Sequence, residues 1–175
     1  PTFRKTNNQL DNIFSVKNIS SLNSYLDLNN SFCIIKQHPL DSTDLSHLNS
    51  FERIKIIDDT ILELEKTYFY EFFNSVDILL TDFSSIYIDF LLLNKPIGFF
   101  VPDIESYNNS RGFLFENIED IMPGEILTNM NDVIRFLELI IINNNDMYIE
   151  KRKKLKDLFH DVDNNFSKNL TKKIF

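Results

Sequence analysis

The chain of 175 residues is short of several residue types on which common binding sites depend. It has only three glycines and no glycine-rich phosphate loop, which excludes the usual P-loop and dinucleotide fingerprints. The single cysteine, Cys33, cannot form an internal disulfide, and the apolar run around it predicts a small core residue in a reducing compartment. No Cys/His cluster or carboxylate set has metal-site spacing, so neither a metal nor another cofactor is predicted.

The chain also lacks a positive net charge and a long apolar run. Its formal net charge of −8 gives no general attraction for nucleic acid, so no nucleic-acid partner is expected. No apolar run approaches the ~18 residues that can cross a bilayer, and the first residues do not lead us to expect a signal peptide. Because the sequence starts at Pro1 rather than Met, we expect it to be a piece of a longer protein.

What the sequence does contain is an alternation of strands and helices. The hydrophobic content of 43% is sufficient for the core of one domain. Short apolar runs predict strands at residues 32–35, 53–57, 76–80 and 97–101. Helical spacing predicts helices at residues 22–28 after Ser20 and Ser21, at 60–74, and twice after residue 131. This alternation predicts an α/β domain with a Rossmann-like, doubly wound parallel sheet.

The most informative stretch is residues 76–100, which predict a strand, a polar turn, a helix and a second strand. Ser84 and Ser85 are placed to cap the helix, whose N–H groups and positive dipole end would point out of the strand's carboxyl edge. Such a helix start favours phosphate, although from these residues alone an ordinary helix cap is the favoured explanation of the serines. Asp82 can receive a ribose or polyol hydroxyl, or it can bond the amides of its own turn.

The same stretch resembles a known family. The run TDFSSIYIDFLLLNKPI resembles the core motif of the CDP-glycerol glycerophosphotransferases, the membrane-associated teichoic acid and capsule polymerases. Phe83 stands where the family more often has tyrosine. Other pieces follow in the family's order, namely PTFR at residues 1–4, KQHP at 36–39, the loop at 103–113 ending in RGF, and Pro123 with Gly124. Several pieces in order are more specific than any single one.

The resemblance implies both a fold and a function. Residues 1–175 would form one nucleotide-binding domain, the C-terminal lobe of a GT-B glycosyltransferase-type fold with C-terminal helices, and the N-terminal acceptor lobe would be absent. The full-length enzyme would transfer glycerol phosphate from CDP-glycerol to a polyol-phosphate or glycan acceptor and release CMP. It would work in the cytoplasm at the inner face of the cell membrane, with peripheral membrane contact. The isolated fragment is expected to be inactive.

Two alternatives remain open from the sequence. The donor can be CDP-ribitol or another nucleotide-activated compound, because the polyol pocket is not legible from these motifs. A noncatalytic nucleotide-binding or assembly module would also account for the same residues, since fold analogy alone does not establish an activity.

The resemblance further implies which side chains hold the donor. The candidates are Arg4, His38, Asp82, Ser84, Ser85, Asp103, Tyr107 and Arg111. His38 is the catalytic candidate, either as a base or as a phosphate ligand, against the alternative of an ordinary loop histidine. An arginine can grip phosphate bidentately, against the alternative of a surface salt bridge. Asp103 and Tyr107 would order their loop or meet the nucleotide.

Other polar residues have simpler interpretations. His47 and His160 match no part of the motif and are predicted to be surface residues. The basic run KRKKLK at residues 151–156 has acidic neighbours, so it predicts a solvated amphipathic helix rather than a site for an anionic membrane.

Overall fold

The structure is a computed structural model that describes residues 14–36, 44–102, 104 and 118–160. Helices and strands alternate through these residues. In chain order they are α1 (Val16–Leu28), β1 (Cys33–Lys36), β2 (Ile54–Ile57), α2 (Asp59–Leu64), α3 (Phe69–Asn74), β3 (Leu79–Thr81), α4 (Ile86–Phe90), β4 (Ile97–Phe100), α5 (Ile118–Ile121), β5 (Glu125–Leu127), α6 (Met130–Ile141) and α7 (Ile149–Phe159). Short 3-10 helices precede β2, at Ser46–Ser50, and extend α4, at Leu91–Leu93. None of the described helices is long and apolar enough to cross a membrane.

The described strands pair in parallel, in two sheets. β1 lies beside β2, and β4 lies between β3 and β5. Leu79 of β3 is opposite Ile97 of β4, and Gly98 of β4 is opposite Glu125 of β5. Parallel strands present their carboxyl ends at one edge of a sheet, so the turn after β3 lies at the edge where open α/β sheets bind ligands.

Helices cover both faces of the sheet that contains β4. Ile97 and Phe99 belong to a cluster with Phe90 of α4 and Leu155 of α7. The alternate residue Phe100 packs against the other cluster, which contains buried residues of α1 and α6. The expected α/β architecture, with parallel strands and helices on both faces, is therefore confirmed.

The predicted single helix at residues 60–74 was wrong, because the chain forms two short helices. Lys66 has φ 51° and ends α2 in the left-handed conformation. The N–H of Thr67 donates to the carbonyl of Leu62, and the N–H of Lys66 donates to that of Glu63. These two bonds define a Schellman motif, in which glycine is the usual left-handed residue.

The first helix also starts earlier than predicted. α1 begins at Val16, so Ser20 and Ser21 lie inside the helix and do not cap it. The Ser21 hydroxyl donates to the carbonyl of Lys17, one turn before it. Cys33, by contrast, packs against the apolar cluster as predicted, and burial raises the pKa of its thiol to about 11.

Gly124 offers a direct test of close packing beside β4. A β-carbon at Gly124 would lie 2.0 Å from the backbone oxygen of Ile97, whereas one at Gly98 would meet only side-chain ends, at 2.8 Å or more. Backbone moves less readily than side-chain ends, so we expect Gly124→Ala to cost about 3 kcal/mol and Gly98→Ala about 1 kcal/mol. Urea unfolding followed by circular dichroism measures both. Equal stability of the two variants would contradict this account of Gly124.

Candidate functional site

The candidate site is the turn that joins β3 to α4. Asp82 follows the strand directly and is buried, with 4% of its surface exposed. Its Oδ1 accepts a hydrogen bond from the N–H of Ser84 at 3.1 Å. Asp82 therefore orders the turn in the way that the simpler interpretation predicted, and a role toward a ligand stays a prediction.

The two serines differ in what their hydroxyls do. The Ser84 hydroxyl lies 3.5 Å from the N–H of Ile86, at the limit of a hydrogen bond. Ser85 occupies the N-cap position, yet its side chain makes no capping bond and the residue is exposed. Capping was predicted for both serines, and only Ser84 approaches it. Of the two serines, Ser85 is therefore the exposed one at the helix start.

The first turn of α4 gives this position its electrostatic character. Ile86 is the first helical residue, and the N–H groups that begin a helix point out of its first turn, although that of Ile88 here donates to the carbonyl of Ser85. Together with the helix dipole they make the turn favourable for negative charge. Asp82 is buried at the end of β3, and its carboxylate already accepts the N–H of Ser84.

The far end of α4 is closed by a left-handed corner. After the 3-10 helix, Asn94 has φ 49°, and Lys95 and Pro96 lead into β4. The ammonium of Lys95 donates to the carbonyls of Asn74 at 2.9 Å and Val76 at 2.7 Å. The predicted helix stop at residues 94–96 is confirmed, and Lys95 ties the corner to the end of α3.

Most of the predicted site residues lie outside the described residues. Asp82, Ser84 and Ser85 are brought together within one turn. Arg4, His38, Asp103, Tyr107 and Arg111 fall on residues that the structure does not describe, so their roles stay predictions.

The end of β1, just before the predicted His38, carries an ion pair. The Lys36 ammonium lies 3.0 Å from Oδ1 of Asp59, the first residue of α2. Asp58 caps that helix, because its Oδ1 accepts the N–H of Ile61 at 2.9 Å. This pair therefore joins the carboxyl ends of β1 and β2.

The sequence analysis misjudged one side chain of α7 and one that directly follows it. Arg152 belongs to the basic run but is 1% exposed, and its guanidinium is paired with the carboxylate of Asp146. His160 is partly buried, and its Nε2 lies 2.7 Å from the carbonyl oxygen of Ile88 in α4. The one available signal was spacing, since Arg152, Leu155 and Phe159 recur at intervals of three and four residues.

The rest of the basic run is also partly engaged. Lys151 donates to the carbonyl of Glu119, and Lys153 pairs with Glu150 at 2.6 Å. In the part of the chain that the structure describes, no three His, Cys, Asp or Glu residues are grouped so that they could hold a metal ion.

Comparison with known proteins places these features in a family. The family profile described as CDP-glycerol:poly(glycerophosphate) glycerophosphotransferase matches residues 1–175. The chain belongs to this family, which confirms the resemblance seen in residues 81–97.

Relatives and a solved structure agree with this membership. Over 143 residues the chain is 34% identical to the teichoic acid poly(glycerol phosphate) polymerase of Bacillus spizizenii, covering 77% of this chain and 33% of the relative. It is 27% identical to the teichoic acid ribitol-phosphate primase of the same organism, covering 79% and 33%. A structure of the wall teichoic acid polymerase TagF superposes with a TM-score of 0.65 at 30% identity, covering 97% and 40%. The chain thus spans a third to two fifths of the length of these proteins, and the match to TagF supports a GT-B-type fold.

Asp82 can be tested as the residue that orders the turn. Asp82→Ala removes the acceptor for the Ser84 N–H, whereas Asp82→Asn keeps an oxygen at the same position. An unmet buried donor costs about 1–3 kcal/mol, so we expect Asp82→Ala to lose that much stability and Asp82→Asn to lose less. Chemical denaturation of both variants gives the comparison. If the alanine variant is as stable as the asparagine variant, the bond does not order the turn.

Proposed function

We propose that this chain is the donor-binding domain of a CDP-glycerol glycerophosphotransferase. The observation that carries the proposal is the turn of Asp82, Ser84 and Ser85 at the start of α4, at the carboxyl end of a parallel strand, in a chain of this family. A helix start of this kind binds phosphate through its N–H groups and dipole. The diphosphate of CDP-glycerol is the part of the donor that this turn would hold.

The proposed reaction is a phosphoryl-group displacement. A terminal hydroxyl of the polyol-phosphate or glycan acceptor attacks the β-phosphorus of CDP-glycerol, and a new O–P bond forms. The bond between this phosphorus and the bridging oxygen breaks, and CMP leaves with the electron pair. The hydroxyl proton passes to a base, for which His38 is one candidate.

The domain's contribution would be positioning and charge stabilisation. In the proposal, Arg4 and Arg111 neutralise the diphosphate, since guanidinium groups present a fork that matches phosphate oxygens. Asp103 and Tyr107 would order the neighbouring loop or meet the nucleotide. We propose no metal, because these cations and the helix start supply the positive charge. The full-length protein would act at the inner face of the cell membrane.

A second donor deserves a parallel test. The relatives named above include a ribitol-phosphate primase as well as a glycerol-phosphate polymerase. The described part of the site would hold a diphosphate, which CDP-glycerol and CDP-ribitol share. Which polyol the donor carries must therefore be measured separately. If the full-length protein transfers neither polyol phosphate, the alternative is a noncatalytic nucleotide-binding module.

Calorimetric titration of the chain with CDP-glycerol, CDP-ribitol, CMP and a UDP-sugar tests the proposal. We expect the CDP compounds and CMP to bind with dissociation constants on the order of 1 mM, equivalent to about 4 kcal/mol, because one lobe supplies half of a cleft. UDP-sugar is the control and should bind more weakly. We expect no polymer from the fragment alone, as judged by CMP release. Absence of binding by all CDP compounds would overturn the donor-binding role.

Ser85 allows the phosphate role to be separated from the capping role. Ser85→Asp and Ser85→Asn place side chains of nearly equal shape at the exposed N-cap, and both are good caps. Only the aspartate repels the diphosphate, and at about 4 Å the repulsion is worth ~1–4 kcal/mol. We therefore expect both variants to keep the melting temperature and Ser85→Asp alone to lose at least about tenfold in CDP-glycerol affinity. Equal CDP-glycerol affinities of the two variants would show that this turn does not bind the diphosphate.

A further inference from the structure

Helix α7 packs against α4 along one face. Leu155 is buried in the cluster that contains Phe90 and Leu91, and Phe159 packs against the same cluster. With Arg152 these residues form a stripe at intervals of three and four, which is the spacing of one helix face. α7 therefore presents a continuous face to the element that begins with the candidate phosphate turn.

Arg152 holds the far end of α4. Its Nη1 donates to Oδ1 of Asp146 at 3.0 Å and its Nη2 donates to Oδ2 of the same carboxylate. Nη2 also lies 3.4 Å from the carbonyl oxygen of Asn94, the left-handed corner between α4 and β4. A guanidinium as buried as this one has to be paired, and its fork fixes direction as well as charge.

His160 holds α4 nearer its start. Its Nε2 lies 2.7 Å from the carbonyl oxygen of Ile88, so the ring N–H donates to a backbone acceptor within the helix. The helix tightens from α to 3-10 geometry after Phe90, which changes the hydrogen-bond pattern of the carbonyls just before it. His160 meets one of those carbonyls.

The two contacts run in opposite order along the two helices. Arg152, early in α7, meets Asn94 at the end of α4, whereas His160, directly after α7, meets Ile88 near the start of α4. With Leu155 packed between them, α7 is attached to α4 at both ends of a short rigid element. Rotation or sliding of α4 would break at least one of the attachments.

We propose that α7 is a positioning element for donor binding, in which Arg152 and His160 set the orientation of α4 and hence of the turn at Ser84 and Ser85 from which it begins. The inference rests on the proposed function, since it assigns α7 a role toward the donor that the turn would bind. A helix that only adds stability would not specify the orientation of the turn. If α7 positions the turn, losing one contact in a variant that stays folded changes the turn and weakens donor binding. If α7 only adds stability, it changes neither.

The test compares variants that remove an attachment with one that only loosens the core. His160→Ala removes the donor to Ile88, His160→Gln restores an N–H donor, and Arg152→Lys keeps the charge but loses the fork. Leu155→Ala, on the same face of α7, is the matched control, because it opens a cavity without touching either backbone carbonyl. All are compared at a temperature at which each variant is folded, as judged by circular dichroism.

Two readouts decide the outcome on the 175-residue chain. We expect His160→Ala and Arg152→Lys to shift the amide resonances of residues 84–86 in ¹H–¹⁵N spectra and to raise the dissociation constant of CDP-glycerol at least threefold. His160→Gln should return both toward wild type, and Leu155→Ala should lower the melting temperature while leaving both unchanged. If Arg152→Lys does not fold, the His160 pair decides alone.

The two failures are distinguishable. If the wild-type chain binds no CDP compound, the proposed function fails. The amide resonances of residues 84–86 in the His160 and Arg152 variants would still show whether α7 orients the turn. If the amide resonances respond to Leu155→Ala as strongly as to His160→Ala, α7 contributes stability only and the inference is overturned.

Discussion

Strand β4 has helices packed on both of its faces, and the described structure is arranged around that constraint. Ile97 and Phe99 meet α4 and α7 on one side, while Phe100 meets the cluster of α1 and α6 on the other. A β-carbon at Gly98 would lie 2.8 Å from the side-chain ends of Leu80 and Leu127, which would have to move. A strand held in this way fixes its neighbours β3 and β5 in register, and with them the sheet edge at which β3 turns into α4.

In the turn after β3, neighbouring residues have different roles. Asp82 turns its carboxylate inward to the Ser84 N–H, so the residue best suited to repel an anion is occupied with the backbone. Ser85 is left exposed at the N-cap. A site for a diphosphate needs this separation, because a carboxylate aimed at the ligand would oppose the attraction of the helix start.

The sequence predicted β1, β2 and β4 to within one residue at each end, because short apolar runs are local signals. β3 begins at Leu79, three residues later than predicted, and ends at the polar turn of Asp82. The break at Lys66 was missed because glycine is the residue that usually marks a left-handed helix end, and here a lysine adopts that conformation. Arg152 was missed for a different reason. Its burial depends on Asp146 and on a carbonyl at Asn94, 58 positions away, and a basic run in isolation is typical of a solvated face. Residues that depend on distant partners are not legible from local pattern.

Three of the four left-handed, non-glycine positions among the described residues are asparagines, at 30, 94 and 144. These corners influence how the chain can change over generations. Glycine at such a position would relieve the steric strain of a β-carbon but would give the unfolded chain more freedom, and each effect is about 1 kcal/mol or less. Exchange between asparagine and glycine is thus close to neutral, whereas a β-branched residue carries the full strain. Sequences can drift at these corners between two residue types while the helices keep their lengths.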